Sequence, residues 1–285
     1  MPELPEVETI RADLSDCLLG RKIISCQVTR AGILRGPVKI YRQLLVGAKV
    51  KAVERRGKLL LLRLSNDYTL AIHLKMTGQI VVVSPTGDRV GGHPIKGVSQ
   101  VPNRFTHVTL TLTGKVKLYF NDVRRFGYWL LVLNSDLPKL LRNYGPEPLS
   151  PNFTVQQLAA KLKRRRGSSI KAALLDQTVV AGIGNIYADE SLFVAGVQPD
   201  RRAGELLEEE IKKLHQAVKT VLRRAVRARG TSFNSYVDGR GRRGTYWERR
   251  LVYGRQNEPC LRCGRLISKT RIAGRGTHYC QHCQK

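Results

Sequence analysis

The sequence predicts an α+β fold: a helix laid on a β-sandwich, then a helical region, then a short metal-binding terminus. Three observations carry that prediction. Eight short runs rich in β-branched and aromatic residues crowd into residues 21–133, a Gly/Pro cluster breaks the chain at residues 143–151, and helical periodicity takes over beyond it. Two close cysteine pairs, Cys260-x-x-Cys263 and Cys280-x-x-Cys283, end the chain.

The first element is a helix. After Pro5, the residues Val7, Ile10, Leu14 and Leu18 recur at helical spacing, Glu6 and Glu8 sit in the first turn, and Gly20 follows as a stop. The strand-like runs come next, at residues 23–28, 50–54, 59–64, 70–74, 80–83, 108–112, 116–120 and 128–132. Eight runs in so short a stretch predict two packed sheets. The boundary is Asn143-Tyr144-Gly145-Pro146-Glu147-Pro148, continuing to Pro151. Helices are predicted over residues 153–165, 170–175, 187–195 and 205–229. In the last, Leu207, Ile211, Leu214, Val218, Val221 and Ala225 form one stripe, with acids at the start and arginines at the end to match the dipole. Residues 230–250 resist assignment. They interleave Gly and Arg with Phe233, Tyr236, Tyr246 and Trp247, which suits contact with an extruded base and equally suits a mobile linker. The predicted partition is 1–135 for the sandwich domain, 136–150 as linker, 151–230 helical, 231–250 a loop, and 251–285 the metal-binding end.

Composition narrows the partners. Against 50 Lys+Arg stand 22 Asp+Glu, a formal charge of +28 and a pI near 10.4. Such an excess self-repels unless a polyanion is the usual partner, so nucleic acid leads and an anionic membrane surface is second. No long apolar run or signal peptide is apparent, and a soluble cytosolic protein is expected. The six cysteines are unevenly placed, which fits metal binding in a reducing compartment better than a disulfide framework. Cys17 and Cys26 are expected as small buried hydrophobes.

Sixteen residues separate the two C-terminal pairs, so four thiolates form two knuckles around a structural tetrahedral Zn²⁺ with no coordination position left for catalysis. His278 and His282 are spare and expected to face solvent. Lys269, Arg271, Arg275 and His278 would decorate a hairpin that the metal holds rigid.

The first residues carry a different chemistry. If Met1 is trimmed, Pro2 presents a secondary amine of ordinary pKa about 8, and Glu3 stands beside it to manage protons. Such an amine, adding to a sugar carbon, gives a permanently charged iminium that draws electrons in later eliminations. A disordered chain end is the competing reading. Lys58, after Arg56-Gly57, is a surface charge or a cation beside that amine. Met76, in the turn His73-Leu74-Lys75-Met76-Thr77-Gly78, and Phe126, in Asp122-Val123-Arg124-Arg125-Phe126-Gly127, are either core residues or wedges for a base stack, with an arginine filling the vacated space. Gly182-Ile183-Gly184-Asn185-Ile186-Tyr187 lacks a third glycine and reads as a turn whose backbone N–H groups and Asn185 bind phosphate. Arg164-Arg165-Arg166 and Lys171 converge on phosphate or form a solvated basic face.

Together, Met1-Pro2-Glu3-Leu4-Pro5-Glu6-Val7-Glu8-Thr9, the run from Asp122 to Gly127, residues 182–190 and Tyr279-Cys280-Gln281-His282-Cys283-Gln284-Lys285 closely resemble the bacterial formamidopyrimidine-DNA glycosylase family, in order along essentially the whole chain. The resemblance implies a β-sandwich, a helix-two-turns-helix domain and a zinc finger with one structural Zn²⁺, with double-stranded DNA held in a cleft between the halves. It implies removal of oxidised purines, 8-oxoguanine and formamidopyrimidines, by a monomer with no obligate protein partner and no membrane. By the same resemblance Pro2 attacks C1′, Glu3 is acid/base at the sugar, Lys58 serves β-elimination, Arg275 serves δ-elimination, and Glu6 is a second acid. Met76, Arg124 and Phe126 match the residues that fill the stack, and Arg166, Lys171 and Asn185 fall at phosphate or lesion contacts. Residues 231–247 stand where the family has its lesion-capping loop. Two features depart from or sharpen the pattern. Phe105 replaces a histidine common in the family, so no DNA contact is assigned there. Leu4 argues against the endonuclease VIII-like branch, which begins Pro-Glu-Gly-Pro-Glu; a zinc-ribbon protein that binds lesions without cutting them is the alternative from another class.

Overall fold

Helix α1 (Leu4–Leu18) forms where the spacing predicts, with Pro5 in its first turn and Glu3 as N-cap. A capping box closes its start: the Glu3 side chain accepts the Glu6 N–H, and Glu6 Oε2 accepts the Glu3 N–H at 2.8 Å. The stripe of Val7, Ile10, Leu14 and Leu18 is buried. The computed structural model of the chain describes residues 1–85, 87, 89–92, 100–231 and 244–285. They form two compact units. The first holds residues 1–141 with 228–231 and 244–247, the second residues 142–227 and 248–285.

In the first unit the eight predicted strands are present, joined by one more. They are β1 (Ile23–Val28), β2 (Val50–Arg56), β3 (Leu59–Leu64), β4 (Tyr68–His73), β5 (Gly78–Val83), β6 (Arg89–Gly92), β7 (Thr106–Leu112), β8 (Val116–Asp122) and β9 (Tyr128–Leu133). Two antiparallel sheets result, in the orders β1-β7-β8-β5-β6 and β2-β3-β4-β9. Their facing sides meet in one core, where Leu60, Leu62, Leu70 and Ile72 join Ile80, Val82, Leu110 and Leu118. Phe120 meets Trp129 edge-on there, with ring centroids 5.7 Å apart.

The unbroken run Leu59-Leu60-Leu61-Leu62 has a simple cause: both faces of its sheet are covered. Leu59, Leu61 and Ala71 pack with Leu137 of a short helix α3 (Leu137–Leu141) on the side away from the main core. Residues 136–150, expected as linker, therefore begin with a packed helix. Helix α2 (Val38–Leu45) and β6 have no counterpart in the predicted elements. Glycine lets β6 approach α1, since a Cβ at Gly91 would come within 2.7 Å of Ile10.

The second unit contains α4 (Val155–Lys163), α5 (Ile170–Leu175), α6 (Asn185–Ala195), α7 (Glu208–Arg227) and the hairpin β10 (Ser268–Ile272) and β11 (Arg275–Tyr279). Thr154 and Ser169 cap α4 and α5 through their side-chain oxygens, each worth about 1 kcal/mol. Helix α7 buries Leu214, Val218, Val221 and Ala225 against its neighbours, whereas Leu207, the first member of the predicted stripe, precedes the helix and is exposed. Among the described residues no helix is long and apolar enough to cross a membrane.

Candidate active site and nucleic-acid interface

The helix cap that starts α1 also builds the candidate catalytic cluster. Pro2 and Glu3 are buried beneath Met1, which is half exposed and whose peptide bond occupies the Pro2 nitrogen. Burial lowers the pKa of the Met1 amine; the carboxylates of Glu3 and Glu6 pull the other way, and Lys58 adds to the decrease. Glu3, Glu6 and Lys58 thus all act on the Met1 amine, one residue out from the Pro2 nitrogen. Glu6 does two jobs with one carboxylate. Its Oε2 holds the Glu3 N–H, and its Oε1 accepts the Thr231 N–H at 2.8 Å. Gly230, at φ +83°, makes that approach possible, because a Cβ there would meet Glu6 at 2.8 Å. Asp13 fixes the same stem by accepting twice from Arg229, at 2.7 and 2.6 Å.

Lys58 is buried at the second position of the two-residue turn between β2 and β3. Gly57 supplies the positive φ such a hairpin requires, and Arg55, paired with Glu8 at 2.9 Å, donates to the Gly57 carbonyl. His73 was assigned nothing from the sequence, yet it belongs here. Burial first, then Lys75 and Lys58, push its imidazole down to about 3. Because Nδ1 accepts the Lys75 N–H at 2.9 Å, the ring proton sits on Nε2. Its only sequence signal is its place at the end of a strand, beside the turn that carries Met76.

Met76, Arg124 and Phe126 come together on two adjacent turns. Met76 is 42% and Phe126 50% exposed, so neither is a core residue. The Arg124 guanidinium lies 4.6 Å from the Phe126 ring centroid, and its Nη1 is 3.3 Å from Met76 Sδ. Phe105 instead lies under the Arg104 guanidinium, 4.7 Å away.

In the second unit, Arg275 is exposed at the tip of the β10–β11 hairpin, whose turn residues Ala273 and Gly274 both have positive φ. Asn185 opens α6 and donates to the Gly276 carbonyl at 3.0 Å, next to Arg275. Arg166 is exposed. Lys171 corrects the sequence reading. Its side chain is fully buried, paired with the equally buried Asp189 at 2.6 Å and donating to Gly276 O and Thr277 Oγ1, so it supports the Arg275 hairpin from beneath and does not reach phosphate. Other expectations change for related reasons. The Gly182 N–H is taken by Gln177, at 2.8 Å. His278 is buried against Tyr253, with its N–H on Asp189, while His282 is exposed as expected. Tyr246 is buried and cannot stack on a base. Phe233, Tyr236 and the rest of the predicted loop at 232–243 lie outside the described residues.

The four C-terminal cysteines form one cluster. Sγ of Cys260 lies 3.9 Å from that of Cys283, Cys263 lies 3.5 Å from Cys280, and all four fall within 4.8 Å of one another. A tetrahedral ion with metal–sulfur bonds of about 2.3 Å separates its sulfurs by about 3.8 Å, so the donor set fits. Cys17 and Cys26 are buried, and burial pushes the Cys26 thiol up to about 11.

Known proteins place this geometry. The family model for the formamidopyrimidine-DNA glycosylase N-terminal domain matches residues 1–129, that for the H2TH domain of the same enzymes residues 144–236, and a zinc finger found in FPG and IleRS residues 257–285. Formamidopyrimidine-DNA glycosylase of Desulfitobacterium hafniense is 43% identical over the full length of both chains, and that of Moorella thermoacetica 45% identical over 95% of each. Among solved structures, a Lactococcus lactis FPG mutant bound to Fapy-dG DNA covers both chains completely, with a TM-score of 0.88 and 34% identity. MutM bound to carbocyclic 8-oxo-G DNA superimposes with a TM-score of 0.87, also at 34% identity over the whole of both chains.

Proposed function

The chain belongs to the formamidopyrimidine-DNA glycosylase family, and from that premise we propose that it excises 8-oxoguanine and formamidopyrimidines from duplex DNA and then cuts the strand by β,δ-elimination through a Schiff base on Pro2. One observation supports this most: burial lowers the pKa of the amine at the chain start, which shares its surroundings with Glu3, Glu6 and Lys58. Removal of Met1 transfers that environment to the Pro2 nitrogen. The freed amine bonds to C1′, the glycosidic bond breaks, and the base leaves with its electron pair. Glu3 protonates the sugar ring oxygen as the ring opens to an iminium. Lys58 takes part in removing the C2′ proton, which expels the 3′ phosphate, and Arg275 assists departure of the 5′ phosphate. Water then releases Pro2. Met76, Arg124 and Phe126 occupy the space left in the stack, while Arg166 and Asn185 contact backbone phosphate. Zn²⁺, one per chain, is the ion that Cys260, Cys263, Cys280 and Cys283 hold, and it keeps the Arg275 hairpin rigid. The enzyme acts as a cytoplasmic monomer on double-stranded DNA; none of these steps draws a residue from a second chain.

A duplex carrying a single 8-oxoguanine tests the reading. Incubation yields a one-nucleotide gap with phosphates at both ends, and borohydride fixes a covalent protein–DNA adduct through Pro2. Binding without cleavage or adduct would leave only a lesion-recognising protein.

The pH dependence follows from the amine. Its protonated form is inert, and the burial that lowers the Met1 amine is expected to act the same way on Pro2 once Met1 is removed, so the trapping rate rises with pH and reaches half its plateau below the ordinary amine value of about 8. Single-turnover trapping across pH 5–9 measures it. A midpoint at or above that value contradicts the assignment.

A further inference from the structure

Asp122 is completely buried, and its two carboxylate oxygens are engaged in one task. Oδ1 accepts the Thr77 hydroxyl and, at 3.2 Å, the Arg124 N–H; Oδ2 accepts the Gly127 N–H at 2.7 Å. Thr77 Oγ1 in turn lies 3.1 Å from the Arg124 nitrogen. These bonds join two turns from different parts of the sequence, residues 74–78 with Met76 and residues 122–127 with Arg124 and Phe126.

Each turn is also constrained within itself. Lys75 and Arg125 hold positive φ, 51° and 58°, a conformation that costs a side-chain-bearing residue energy and persists only when its surroundings enforce it. Gly78 and Gly127 tolerate no Cβ: at Gly78 it would strike the Leu74 carbonyl at 2.4 Å, and at Gly127 it would meet Phe120 at 2.8 Å and Asp122 at 3.0 Å. The outcome is one assembled group, with Arg124 against both Met76 and Phe126.

We propose that Asp122 and Thr77 are positioning residues that couple the two turns into one rigid wedge, so that Met76, Arg124 and Phe126 enter the base stack as a single body. This rests on the glycosylase reading above and adds to it the device that sets the wedge. An inserting group that is ordered beforehand loses less entropy on entry, and that saving matters most when a base must be forced out of the stack. A pre-formed abasic site has no base to expel, so its processing depends on the coupling much less.

Thr77→Val removes the hydroxyl and retains the side-chain size; Thr77→Ser restores the hydroxyl; Asp122→Asn probes the other partner. The expected result for Thr77→Val is single-turnover 8-oxoguanine excision slowed about tenfold, with strand cleavage at a pre-formed abasic site within about twofold of wild type. Thr77→Ser recovers excision. In a Met76→Ala background the Thr77→Val effect largely disappears, because the group being positioned is gone. Equal losses on both substrates, or full additivity with Met76→Ala, would overturn the coupling even if Asp122→Asn fails to fold. A wild-type chain that cleaves neither substrate refutes the glycosylase reading, and the proposal with it.

Discussion

Retention of Met1 abolishes the borohydride adduct and slows 8-oxoguanine excision by at least about a thousandfold relative to the trimmed chain, while leaving duplex binding nearly unchanged. The reason is electronic. An amide nitrogen has surrendered its lone pair to the carbonyl and cannot attack C1′. The Met1 amine, one residue further out, sits in the same field of Glu3, Glu6 and Lys58, but it is a primary amine displaced by a full residue from the capped end of α1. Glu3 is held by the capping box through backbone N–H groups, so it cannot follow the amine outward. The groups expected to meet DNA elsewhere, Arg124 and Phe126 among them, are untouched by the extra residue. Mass spectrometry sorts the two forms, and trapping yield with single-turnover excision on each gives the ratio. Equal adduct from the untrimmed chain would move the nucleophile away from Pro2.

Loss of the metal has the second largest effect. Chelation, or Cys280→Ser, weakens binding to lesion DNA by at least about a hundredfold, since two lost charge-assisted contacts already amount to about 3 kcal/mol. Strand products then stop at β-elimination. Cys260 and Cys280 are buried with Phe193, Val252 and Ile267, so the cluster is also the centre of a small apolar core. A two-stranded hairpin such as β10–β11 is marginal alone, whereas a structural zinc ion supplies about 10–16 kcal/mol of apparent binding free energy that doubles as folding energy. Without it, Arg275 loses its scaffold. Metal content, amide exchange across β10–β11 and the ratio of β to β,δ products check the chain of cause. Preserved exchange protection with full affinity after complete metal removal contradicts it.

Much of this architecture is legible in the sequence because burial on one face leaves a period. Helix α1, the strands of the sandwich and α7 each repeat apolar residues at the spacing their geometry demands. The cysteine spacing carries its own geometry. What escaped was set by partners distant in the chain. Helix α2 commits only Tyr41 and Leu45 to the interior, too few to show a stripe in eight residues. Strand β6 is half glycine, because α1 presses against it. Lys171 looks like any surface lysine until Asp189, eighteen positions later, is placed against it. The same holds for Asp122: its neighbours Arg124 and Phe126 advertise a role, but the tie to Thr77 spans 45 residues and leaves no local trace.

The sealed Lys171–Asp189 pair constrains how this lineage can drift. Replacing either partner alone strands an unmatched charge in the interior, a penalty of about 3–5 kcal/mol that rivals the whole margin by which a domain stays folded. Neither position can change by single neutral steps; an exchange for two apolar residues must cross a poorly folding ancestor. Descendants are therefore expected to keep both residues or to have swapped both, with few sequences caught in between.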